Sequence, residues 1–180
     1  MSKIKGGHMH LFLDGKSIAF STTHTLSISA EAVDVSNKDE GGGDWSSQEV
    51  GTLSWSASSE NLYSIDTKSN GKDFAELFDL MVAKTPITAV FCKRSEADNI
   101  TEVPTAGWTP QTGAGYEGKV IITSLELNAQ NGEYATFSVD FQGVGALKKK
   151  DSVITPISPD TQNPVQPDFQ SKQTTASTTK

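Results

Sequence analysis

The chain has a single cysteine, Cys92, in 180 residues, so no disulfide can form within it. Cys92 lies in an apolar, strand-like run and reads as a small buried hydrophobe. Hydrophobic residues are scarce for a compact globule at 35%, their places taken by serine, threonine and glycine. Cations are short as well: 15 Lys and Arg stand against 22 Asp and Glu, a net charge of −7. That balance disfavours tight holding of nucleic acid, which needs clustered cations to release counterions. It is compatible with a surface that tolerates DNA nearby. No stretch approaches the ~20 apolar residues of a membrane span, and no apolar run of signal-peptide length follows Lys3 and Lys5. Folding in a cytoplasm is expected. Missing too is any acid, base or nucleophile constellation, because Asp and Glu scatter without the spacing of a hydrolytic pair. An enzyme is therefore not expected. One domain with a real core suits this length.

What the chain does have is alternation. In the stretch from His24 to Ile65, Leu26, Ile28 and Ala30 face one way and Ser27, Ser29 and Glu31 the other. The pattern returns with Leu53, Trp55 and Ala57 against Thr52, Ser54, Ser56 and Ser58. Period two over such lengths predicts two half-buried strands, each with one apolar and one hydroxyl face. A phase change, from Ala32 to Val33 and Val35, predicts a β-bulge in the first of them. The loop between, Ser36 to Ser47, sets Asp39, Glu40 and Asp44 around three glycines. Its spacing does not fit a calcium loop. A solvated flexible loop is expected instead; the alternative is a loop that orders against a neighbouring subunit with Trp45 as its anchor, since aromatics are enriched in interface cores.

Upstream, residues 1–9 read as a loose arm. Leu11–Leu13 predicts a short strand, Asp14-Gly15 a two-residue hairpin turn, and Ile18 to Phe20 the returning strand. His8, His10 and His24 lack the ligand number and register of a zinc site, so no metal is expected. Downstream, Asn70-Gly71 marks a turn. Phe74, Leu77, Phe78 and Met81 then follow helical spacing, with Asp73 and Glu76 as a capping box, Lys84 in the last turn and Pro86 as the stop. One helix over about 73–84 is predicted. Ile87 to Lys93 reads as a strand buried on both faces, and Lys93-Arg94 as its solvated end. Gly113-Ala-Gly115 lacks the third glycine and preceding strand of a dinucleotide fingerprint. No cofactor is expected. Val120–Leu127 and Tyr134–Phe141 form the clearest strand pair, joined through Asn131-Gly132. From Lys148 onward prolines and polar residues dominate, and such a chain cannot offset its ordering entropy by burial.

Three segments resemble the major tail proteins, or tail tube proteins, of long-tailed phages: LFLDGKSIAFSTTHTLSIS at Leu11–Ser29, NKDEGGGDWSSQEVGTLSWSA at Asn37–Ala57, and YEGKVIITSLELNAQNGEYATFSVDFQGVGAL at Tyr116–Leu147. The last, with its hairpin and terminal G-x-G-x-L, is the most specific. The resemblance implies a mainly β fold, an antiparallel β-sandwich or rolled barrel flanked by one helix, shared with tubes of contractile tails and type VI secretion. It covers the expected tail tube domain at 10–147; the arm at 1–9 and the extended or disordered tail at 148–180 are read from composition and lie outside it. It also implies a structural protein of the virion tail, assembled in the host cytoplasm. Six copies would form a ring, and rings would stack into the conduit for genome ejection. Its partners would be itself, the tape measure and other tail proteins, and double-stranded DNA passing through without specific binding. Asp39, Glu40, Asp44 and Trp45 are the expected contacts between subunits or rings, and Glu31, Asp34, Glu60 and Asp66 the expected lumen-facing acids. The alternative is a β-sandwich binding module of a virion, such as an adhesin or carbohydrate-binding domain, or a related tail ring protein. A platform of exposed Trp45, Trp55 and Trp108 would favour the module; Trp55 in the core would speak against it.

Overall fold

A computed structural model describes residues 3–37, 45–65, 70–95, 103–104 and 107–150. A 3-10 turn at Gly6–His8 leads into β1 (Met9–Leu13) and β2 (Lys16–Ser17). The long strands β3 (Ser21–Asp34) and β4 (Gln48–Leu62) follow, then helix α1 (Phe74–Ala83), β5 (Ile87–Lys93), β6 (Tyr116–Asn128) and β7 (Thr136–Lys149). All seven strands belong to one antiparallel sheet in the order β2-β1-β5-β6-β7-β4-β3. The sheet rolls until β3 touches β1, so the expected sandwich takes its rolled-barrel form.

The core sits inside this roll. Leu11 and Leu13 of β1, Ile87 and Ala89 of β5, Trp55 and Ala57 of β4, and Phe137, Val139 and Phe141 of β7 enclose it with Leu77 of α1. On the opposite face of β1 and β5, Phe12, Val90 and Cys92 form a second cluster under Trp108. β5 is thus buried on both sides, as its unbroken apolar run requires. At its end Arg94 stacks 4.0 Å from the Trp108 ring centroid, a cation–π contact that seats the expected solvated strand end on an aromatic.

Several boundaries differ from the sequence reading for identifiable reasons. Asp14 and Gly15 both take positive φ, 49° and 82°, which closes the turn in two residues and pairs Leu13 with Lys16. The returning strand is therefore Lys16–Ser17, and Ile18 bridges in parallel to Lys72 instead. The pairing of β3 with β4 does slip near Glu31, but the two steps from Ala30 to Ala32 oppose three from Leu53 to Val50. The extra residue therefore lies in β4, beside Gly51, where an added Cβ would come within 2.7 Å of the Val33 side chain. α1 has the predicted cap: the Glu76 N–H donates to Asp73 Oδ1 at 2.8 Å. Its buried arc centres on Leu77, however, with Phe74 and Leu80 packed on the core; Phe78 sits at the flank and is exposed. β7 runs through Lys149, where Lys148 pairs with Glu117 and Lys149 with Tyr116.

Candidate assembly surfaces on an open-edged sheet

Four neighbouring strands, β6, β7, β4 and β3, present the side of the sheet away from the core. Register places Thr25, Ser27 and Ser29 of β3 opposite Ser58, Ser56 and Ser54 of β4. Farther across, Ser58 and Ser56 meet Asp140 and Gln142 of β7, which meet Ser124 and Ile121 of β6. The result is a wall of short hydroxyl and amide side chains. Alternation forces it, because the same strands send Trp55, Ala57, Phe137, Val139 and Phe141 inward.

Acids punctuate the wall. Glu60 pairs with Thr23 and Ser138, and Glu126 pairs with Ser138 from the other side. Asp140 stands opposite Ser58, and Glu31 projects at the bulge. Two cations, Lys119 opposite Val144 and Lys148 opposite Glu117, share this face near one end among the described residues. Of the four acids expected from sequence, Glu31 and Glu60 lie here. Asp34 pairs with Gln48 at the far end of β3, in the register position that alternates away from Glu31. There its carboxylate accepts the Ser36 N–H at 2.8 Å, and the Ser36 hydrogen bonds hold its pKa below the usual value. Asp66 is outside the described residues. Sequence reasoning missed Asp140 and Glu126, although Asp140 alternates with Phe137, Val139 and Phe141 along the chain. The signal that finds it is the same period-two pattern, applied to the second hairpin.

Both margins of this four-strand wall are open. β3 has one ladder partner, β4, among the described residues. β6 pairs with β5 only from Tyr116 to Val120, so Ile121–Asn128 has β7 on one side and, among the described residues, no strand on the other. Beyond Trp55, β4 leaves β7 and continues with β3 as a two-stranded ribbon. At its end the Val35 N–H donates to the Ser47 carbonyl at 3.0 Å and the Ser47 N–H to Ser36 Oγ at 2.9 Å. Trp45 beside it is 87% exposed, while Asp39, Glu40 and Asp44 lie outside the described residues.

The three tryptophans do not make a platform. Trp55 is 6% exposed, within the core. Its ring lies over Gly118 and Gly143, where an added Cβ would stand 2.4 and 2.2 Å from ring atoms. That observation counts against a carbohydrate-binding module. Among the described residues no helix is long and apolar enough to cross a membrane, and no three His, Cys, Asp or Glu are placed to hold a metal ion.

An open-edged, rolled antiparallel sheet with one helix and a hydroxyl wall is the setting in which the comparisons fall. Residues 10–79 match the family model described as phage tail tube protein. Over those residues the chain is similar to the phage tail tube proteins. Solved structures agree in fold. The tail of an empty gene transfer agent particle, refined with C6 symmetry, superposes with a TM-score of 0.60 at 18% identity, covering 82% of this chain and 98% of that one. A chain from the native gene transfer agent virion gives 0.59 at 18% identity, with 82% and 98% covered. The SPP1 tail tube gives 0.55 at 12% identity, with 83% and 81% covered. No curated protein matches by sequence. The family match covers β1 through most of α1, so the tail tube signature includes the ribbon and its hydroxyl strands but stops before the β6–β7 hairpin.

Proposed function

We propose that this tail tube subunit closes into a ring by pairing the open edge of β3 with the open Ile121–Asn128 edge of β6 in the next copy. Rings then stack into a tube through which double-stranded DNA leaves the virion. One observation carries the reading: among the described residues, two unpaired edges flank a single hydroxyl-lined wall. An exposed edge seeks another strand, and two different edges on one chain make a head-to-tail contact that closes when the rotation allows. The sixfold symmetry of the gene transfer agent tail supports six copies.

Closure of this kind turns the hydroxyl wall inward. Glu31, Glu60, Glu126 and Asp140 then face the lumen, where negative charge keeps a polyanion from sticking. Asp66, in the link from β4 to α1, joins them as a lumen acid, and Asp34 marks the ribbon end. Trp45, with Asp39, Glu40 and Asp44 of its loop, contacts the adjacent subunit or ring. The tape measure protein occupies the lumen before DNA does, and other tail proteins bind the tube ends. The role is structural and the chain catalyses nothing. In domain terms, the tube wall expected at 10–147 takes in all of β1 and β7, from Met9 to Lys149, with an arm before it and a tail after it.

Electron microscopy of the purified full chain at high concentration tests the ring. Rings or tubes with a central channel are expected. Monomers at every concentration, by native mass spectrometry, would remove the reading.

A further inference from the structure

α1 is apolar on both sides. Leu77 is fully buried, and Phe74 and Leu80 pack on the core. At about 100° per residue, Ala75, Asp79, Val82 and Ala83 form the opposite stripe with Phe78 at its edge, and Phe78 and Val82 are 52% and 61% exposed. A helix that carries large apolar side chains on its outer side as well as its inner one ordinarily has a second surface to cover them.

Elsewhere on the same chain, the β3–β4 ribbon exposes the face that continues from the core. Ile28, Leu53 and Val50 are 60%, 69% and 74% exposed. Beside them a groove of about 500 Å³ is lined by Ile28, Leu53, Trp55, Tyr116, Leu147 and Lys149, among others. Its walls are mostly apolar, the kind of concavity that takes an amphipathic helix.

We infer that the groove receives α1 of the neighbouring copy, with Phe78 and Val82 against Ile28 and Leu53 and Asp79 at Lys149. The sheet order selects that occupant. α1 packs beside β6, on the core side of the sheet, and the ribbon's bare apolar face lies on that same side next to β3. Setting a neighbour's β6 edge against β3 carries its α1 over the ribbon. Charge agrees: the acid in the outward stripe is Asp79, and the cation lining the groove is Lys149. The two patches are different surfaces of one chain, so the contact repeats around a ring instead of stopping at a dimer. The inference rests on the ring reading and adds a second seam, on the outer side of the wall.

The test uses the full chain with Cys92→Ala, which removes the single native thiol. Leu53→Cys and Phe78→Cys are introduced together and, separately, one at a time. With a short bismaleimide, the double variant is expected to give a ladder of covalent oligomers. A mixture of the two single variants should stop at dimers, and each single variant alone should stay monomeric on denaturing gels. Leu53→Glu and Phe78→Glu are each expected to reduce ring formation at least tenfold while the melting temperature of the monomer stays within a few degrees. Asp79→Lys should weaken rings, and Lys149→Glu added to it should restore them. Rings that form normally without the Leu53–Phe78 cross-link overturn the helix-in-groove contact and leave the ring reading standing. Absence of both rings and cross-link overturns both.

Discussion

The Trp55 indole Nε1–H donates to the Gly145 carbonyl at 2.9 Å. This joins the middle of β4 to the far end of β7, past Gly143, which lies flat beneath the ring. Gln142 closes the arrangement, its Nε2–H donating to the Trp55 carbonyl at 3.0 Å. The G-x-G-x-L sequence at Gly143–Leu147 therefore has a physical meaning. The first glycine makes room for an indole. The second takes φ 73° in a bulge, where the two steps from Glu117 to Lys119 oppose four in β7.

Gly143→Ala is expected to destabilise the fold by more than about 2 kcal/mol, because the new Cβ overlaps the indole and overpacking of a core typically costs ~1–3 kcal/mol. Urea unfolding measures it. In a Trp55→Ala background, itself costing about 3–5 kcal/mol, the same change should cost almost nothing. A double-mutant cycle with no coupling would show that the glycine serves something other than the ring.

His24 on β3 meets His10 on β1 with ring centroids 5.9 Å apart, at the seam where the sheet rolls onto itself. Burial first and the neighbouring His10 second lower the His24 pKa from 6.5 to about 4. Trp108, carrying Arg94, faces the same cluster through His10. Between about pH 6.5 and 4 the unfolded chain binds the proton that the folded chain refuses, so stability rises with pH across that window. The contribution is complete above about pH 6.5 and is lost as pH falls toward 4, with a slope of at most ~1.4 kcal/mol for each step of one in pH. His24→Phe should remove that part of the slope. Urea midpoints at pH 5 and pH 7 that fall equally in wild type and variant would show that His24 does not set it.

Asp73 caps α1 through the Glu76 N–H. Asp73→Ala is expected to cost about 1 kcal/mol, and Asp73→Ser much less, since either side-chain oxygen can take the orphan donor. Thermal melts of the two variants separate capping from a general effect of charge.

Asn61 is buried against Ser59 and β7. Ser59 Oγ–H donates to Asn61 Oδ1 at 2.8 Å, and Asn61 Nδ2 reaches the Ser59 and Phe137 carbonyls at 3.4 Å. Asn61→Leu strands the Ser59 hydroxyl and should cost roughly 1–3 kcal/mol. Adding Ser59→Ala should recover part of it, read from the same denaturation curves.

Glu126→Lys with Asp140→Lys tests the wall's charge. Both residues are exposed, so folding and ring formation should survive. Tubes of this variant are expected to retain duplex DNA in a way that weakens steeply with salt, whereas wild-type tubes retain none. Equal retention by both would place these acids away from the lumen.

Local patterns in the sequence determined a good deal of this protein. Alternation from Leu26 to Ala32 and from Phe137 to Phe141 set strands and faces, Asp14-Gly15 and Asn131-Gly132 set turns, and Asp73 with Pro86 bounded the helix. All of these depend on residues a few positions apart, whose sterics and hydrogen bonding act before any long-range contact forms. The family pattern was legible for the same reason, as a succession of such segments. Only the tertiary structure decided which surfaces remained uncovered. Whether Phe78 or Leu80 turns inward depends on where α1 lands on β6. The bulge belongs to β4 because Gly51 lets Val33 approach. Leaving one edge of Ile121–Asn128 and one edge of β3 unpaired among the described residues follows from a strand order that ends at β3 and in which β5 is too short to cover β6. Burial and edge pairing are properties of distant segments brought together, and no window along the chain contains them.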